Sequence, residues 1–120
     1  MTEAKVDDPW ESLIEHLQHV RRRPQSYVHP LNVNRVVSWL NGFQVYERFA
    51  EPVIDRNRWF ELRRHAIESR GLNDDSGGPA AEMRRRKWPA AKIIDELLVI
   101  EIAILESART VLRERPTSED

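Results

Sequence analysis

There is no cysteine anywhere in these 120 residues. That excludes disulfide staples, thiolate metal sites and cysteine nucleophiles, and nothing then points away from a reducing cytoplasm. Glycine is scarce, with four residues. Gly77-Gly78 leads into no Gly-Lys-Ser/Thr, so no glycine-rich loop stands ready to cradle phosphates. No run approaches the roughly 18 apolar residues of a membrane span. The acidic, polar opening MTEAKVDDPW does not read as a secretory signal peptide. No stretch alternates apolar and polar residues as a half-buried strand would. The HExxH and GxSxG patterns are missing as well. These absences lead to an expectation of a non-enzymatic, cytoplasmic, all-α protein with no metal or cofactor.

What is present is charge, unevenly spread. The formal net charge is -1, too close to zero for a dedicated duplex DNA binder. Residues 1–19 carry one Lys against five acids, residues 20–70 ten Arg against five acids, and residues 71–120 eight bases against ten acids. Sixteen of the nineteen basic residues are Arg, the better residue for bidentate and interface contacts.

Helical periodicity runs through most of the chain. Asp8 as cap, Pro9 at the first helical position and Glu11 three residues after the cap predict a helix over 9–22. Trp10, Leu13, Ile14, Leu17 and Val20 lie along one face of it. Pro24 ends it, because the residue before proline is driven out of the α region. Asn32 or Asn34 caps a second helix that runs to Glu51-Pro52, with Val33, Val36, Val37, Leu40, Phe43 and Phe49 inward. Gly42 inside it predicts a close approach of another helix. Asp55 or Asn57 caps a third helix, ending at Arg70-Gly71, with Trp59, Leu62, Ala66 and Ile67 inward. Residues 71–79 form the clearest loop. A short helix over 80–87 and a long one over 89–114 follow, separated by Pro89. The expected architecture is a compact bundle of four to five helices in one domain, 9–114. Residues 1–8 form a flexible start and 115–120 a disordered tail.

On the long helix, Ile93, Ile94, Leu97, Leu98, Ile100, Ile104, Leu105, Ala108, Val111 and Leu112 make the apolar face. Lys92, Asp95, Glu96, Glu106, Thr110 and Arg113 fall opposite. Glu101 breaks the pattern by sitting in the middle of the apolar face. A buried carboxylate without a partner is strongly disfavoured, so Glu101 is expected to act as a structural polar anchor. It should meet an arginine or a tyrosine hydroxyl from another helix. Val99, Ile102 and Ala103 leave apolar residues on the otherwise polar side and point to a homodimer.

His16 and His19, three residues apart beside Glu15, lack a third metal ligand at motif spacing and are expected to be solvated or interfacial. Two basic clusters remain, Arg21–Arg23 and Arg84, Arg85, Arg86 and Lys87. Either can grip phosphates as a nucleic-acid module. Equally, the first complements the dipole at a helix end, and the second wraps a solvated short helix.

The stretch LQHVRRRPQSYVHPLNVNRVVSWLNGF carries a helix, Arg-Pro-x-x-Tyr, a short loop and a helix with Gly-Phe. In Leu17, Val20, Arg23, Pro24, Tyr27, Leu40, Gly42 and Phe43 it resembles small bacterial proteins with an RPGMYxG-like loop. Some of these are immunity proteins of polymorphic or contact-dependent toxin systems. Gln25, Ser26 and His29 depart from the pattern, and the likeness covers residues 10–45. The resemblance implies an immunity-type inhibitor that binds a cognate toxin domain stoichiometrically. Its contact residues would be Arg22, Arg23, Tyr27 and His29, joined by Asp7, Asp8, Glu11 and Glu15 if the toxin's own site is basic. Read without the resemblance, the loop is a helix stop in which Tyr27 lays its ring on the core, while Val28, Pro30 and Leu31 staple the next helix.

Overall fold

Pro9 opens the first helix, α1 (Pro9–Arg22), and Pro24 closes it by starting a 3-10 turn over Pro24–Ser26. The computed structural model describes residues 9–49, 54–73 and 77–114. Helix α2 (Val33–Phe43) follows, then a single turn, α3 (Tyr46–Phe49), and α4 (Arg56–Ser69), α5 (Gly78–Arg85) and α6 (Ala90–Glu114). No strand occurs among the described residues. The protein is all-α, a bundle with a long C-terminal helix. The expected cap Asp8, the expected stop Glu51-Pro52 and the expected tail 115–120 lie outside the described residues.

Local chemistry explains most boundaries. Asn32 accepts the Arg35 N–H at 2.9 Å and Asp55 accepts the Arg58 N–H at 2.8 Å, each satisfying a donor that a helix start leaves orphaned. Asn32 and Asp55 are therefore the caps, not Asn34 or Asn57. Gly71, at φ +77°, takes the left-handed conformation that ends α4. Gly77, at φ +89°, turns the chain into α5, which starts two residues before the expected 80.

At 25 residues α6 spans about 37 Å, and α1, α2, α4 and α5 all pack against it. It is therefore buried around more of its circumference than a one-sided amphipathic helix. Ile93, Ile94, Leu97, Leu98, Ile100, Ile104, Leu105 and Ala108 are buried as the periodicity requires, and Val111 and Leu112 are partly buried. Two residues assigned to the polar side are corrected. Ile102 is buried within the chain, which removes much of the apolar surface that pointed to a homodimer. Glu96, expected in solvent, is 9% exposed because Arg70, just past the end of α4, clamps it through Nε and Nη2, the latter at 2.9 Å.

The second helix departs furthest from expectation. It breaks at Gln44-Val45 and restarts as α3. Residues two apart on a continuous helix point about 200° away from each other. The break instead lets Gln44 and Tyr46 both reach Glu101. Gly42, expected to admit another helix, is exposed, and a Cβ there would meet nothing within 4 Å. It sits in the last turn of α2, where glycine costs little helix stability.

Candidate functional site

The buried Glu101 does find its partners. The residue is 2% exposed. Oε1 accepts from Gln44 Nε2 at 2.9 Å and Arg63 Nη1 at 3.3 Å, and Oε2 accepts from the Tyr46 hydroxyl. Arg63 also donates to Glu47. Gln44, Arg63 and Glu101 also line a cavity of about 240 Å³ whose apolar walls include Leu40, Ile67, Leu97 and Ile100. Burial works against the Arg63 charge, but Glu101, Tyr46 and Glu47 outweigh it and hold the guanidinium above its ordinary range. Both carboxylate oxygens are engaged, and a guanidinium is held against one of them. Through these bonds Glu101 links α6 to Tyr46 of α3 and Arg63 of α4.

Burial, and then the Glu101 carboxylate beside it, push the Tyr46 phenol well above its ordinary pKa. The sign of the consequence follows. Below the unfolded tyrosine pKa of about 10 the contribution to stability is fully present, and above it the unfolded chain releases a proton that the folded chain keeps. Stability should fall as pH rises through that range, approaching about 1.4 kcal/mol per pH unit from this one group. Urea midpoints measured across the alkaline range test this: Tyr46→Phe should flatten the fall. An unchanged slope would locate its origin elsewhere.

A second group of side chains reaches the surface. Tyr27, expected to lie on the core, is 40% exposed and stands edge-on to His16 at 5.3 Å. Only its neighbour Val28 is buried, while Pro30 and Leu31 are exposed. The 3-10 turn swings the Tyr27 ring outward, so the opening loop staples through Val28 alone. His16 stacks on Phe43 at 6.1 Å and tilts against Trp39, and Trp39 stacks on Phe43 at 5.3 Å. Phe43 then meets buried Tyr46 edge-on at 5.8 Å. The half-exposed patch therefore rests on the ring that hydrogen-bonds Glu101, which braces it. Trp39 and the role of His16 were missed from the sequence because the stack joins α1 to α2. The spacing of Trp39 and Phe43, i and i+4, was the available signal.

The remaining candidates divide. Arg23, Tyr27 and His29 are exposed along the loop that carries the patch. His19 follows His16 along the same stripe of α1 and is exposed. Glu11, Glu15 and Arg22 share the neighbouring stripe of α1, at i, i+4 and i+11, and Glu11 faces Arg109 at 3.4 Å. Asp7 and Asp8 lie outside the described residues.

Within the basic clusters the residues do not all share one partner. Arg21 forks onto Asp95 through Nε at 2.9 Å and Nη2 at 3.2 Å, and the hydrogen bond holds its pKa up. Both side chains are substantially exposed, so the pair contributes at most about 1 kcal/mol. Arg85 and Arg86 both pair with Glu82 at 2.9 Å, and Arg85, then Arg86, hold that carboxyl below its usual range. Arg84 instead donates to neutral Asn34 at 2.7 Å.

Among the described residues no three His, Asp or Glu side chains converge as metal ligands, and no helix is long and apolar enough to cross a membrane. The chain matches no protein-family model, and no curated protein or solved structure is detectably similar to it.

Proposed function

We propose that this protein is a non-catalytic binding module that recognises a partner protein through the His16–Tyr27–Trp39–Phe43 surface. One observation carries this reading: a contiguous, half-exposed aromatic patch, braced from below by Tyr46, with Arg23 on the same loop. Tyr, Trp and Arg dominate the energetics of protein interfaces, and a patch already ordered loses little entropy on binding. The resemblance of residues 10–45 to immunity proteins supplies the specific form. The partner is a cognate bacterial toxin domain, neutralised one-to-one in the cytoplasm, and no cofactor is called for. Glu11, Glu15 and Arg22, on the adjacent stripe, form a charged rim that steers encounter.

Co-expression with the C-terminal domain of the protein encoded immediately upstream tests this. Cells should survive only when the chain is present, and the two should co-purify. Replacing Tyr27 and Trp39 together by alanine should weaken the complex at least about 30-fold, the effect of losing a hot spot of about 2 kcal/mol. Circular dichroism should show the helices intact. An upstream domain that is harmless, or toxic without rescue, removes the toxin-inhibitor reading. A tight complex that ignores both substitutions removes the surface.

A further inference from the structure

A different face carries a second site. We propose that the groove between the start of α2 and the α5–α6 elbow binds the phosphate backbone of a single-stranded nucleic acid. This groove encloses about 600 Å³, and the residues lining it include Val33, Arg35, Arg84, Trp88 and Ile93. No acidic side chain lines it among the described residues. The acids carried by α5 and the first half of α6 are committed elsewhere. Glu82 is held by Arg85 and Arg86, Asp95 by Arg21, and Glu96 by Arg70. Glu101 is buried against Arg63.

Its cations are thus left without carboxylates. Arg35 is exposed and has no side-chain partner among the described residues. Arg84 is steadied by a neutral amide, the Asn34 side chain at 2.7 Å, which orients the guanidinium without neutralising it. Lys92 rests its ammonium 4.0 Å from the centre of the Trp88 ring, which leaves its charge intact beside the groove. Two guanidinium forks and one ammonium stand beside the partly exposed Trp88 ring, with Val33 and Ile93 buried at the groove's base, and so combine phosphate donors with one planar aromatic group. Nucleotides present both phosphates and planar bases, whereas an acidic peptide brings carboxylates without planar faces. A duplex needs a broad basic face, which the ion pairs at Arg21, Arg85 and Arg86 deny. The site shares no residue with the aromatic patch and does not depend on it.

Fluorescence anisotropy of the full chain with a labelled single-stranded thymidine oligomer decides the matter. Binding at low salt should weaken on salt addition with a log–log slope of about -2, three cations releasing about 0.7 counterion each. Replacing Arg35 and Arg84 by glutamate should lower affinity at least tenfold. The same net charge change at Arg58 and Arg64 on α4 should leave most of the binding. Arg35→Gln with Arg84→Gln repeats the test without charge reversal, and circular dichroism confirms the fold of each variant. The proposal is overturned by absence of binding in dilute buffer, by equal losses in the two arginine pairs, or by poly-glutamate competing as well as the oligomer. That last outcome would make an acidic protein segment the occupant.

Discussion

Arg63→Met should destabilise the protein by about 3–5 kcal/mol, the usual consequence of stripping one partner from a buried ion pair. Glu101 would keep two neutral donors, Gln44 and Tyr46, but lose the only cation that contacts it among the described residues. The carboxylate cannot escape to water, because the residue is 2% exposed at the centre of the bundle. The double replacement Arg63→Met with Glu101→Leu should recover much of the loss, because an apolar pair in place of a buried ionic one is often close to neutral. Recovery should stop short of wild type by about 1–3 kcal/mol, since the buried Tyr46 hydroxyl would have lost its acceptor. Urea unfolding of the four proteins in the cycle reads the coupling directly. If Arg63→Met alone lies within about 1 kcal/mol of wild type, the network is not what fastens α3 and α4 to α6.

A loss of similar size is expected for Leu17→Ala, about 2–5 kcal/mol. Leu17 is fully buried on the face of α1 that packs against α6. The size of such a loss depends on how far the surroundings collapse into the space. Here α6 is also held by contacts with α2, α4 and α5, which resist its movement into the space. The cavity should therefore persist and the value fall in the upper half of the range. Half-buried Leu13, one turn earlier, should lose clearly less on the same change, and thermal or urea unfolding of the two variants compares them. Equal losses at both positions would show that α1 packs as a whole and not through Leu17.

Sequence legibility follows the range of the forces involved. The limits of α1, the Asp55 cap and the Gly71 stop are set by one or two neighbouring residues, so proline, aspartate and glycine announced them. Glu101 was legible for the opposite reason. A carboxylate in the middle of an apolar stripe needs a partner wherever that partner comes from, and both an arginine and a tyrosine hydroxyl meet it. Other features had no local signal. The break at Gln44-Val45 follows Gly42 in the last turn of α2 but is fixed by hydrogen bonds to a helix more than fifty residues away, which no local reading supplies. Glu96 is buried by Arg70, twenty-six residues distant. The His16 stack needs α1 and α2 to be adjacent before Trp39 and Phe43 become its neighbours. Helix periodicity also assumes one buried face, an assumption that α6 violates and that misplaced Ile102.

The position of α6 at the middle of the bundle has a consequence during synthesis. The helices that pack on it precede it in the chain. A ribosome adding about 5–20 residues per second would need roughly 3–14 s to go from the end of α1 to the start of α6. Throughout that interval the apolar faces of the emerging helices lack the surface that covers them. A nascent chain stalled before residue 90 thus lacks the helix on which α1, α2, α4 and α5 pack.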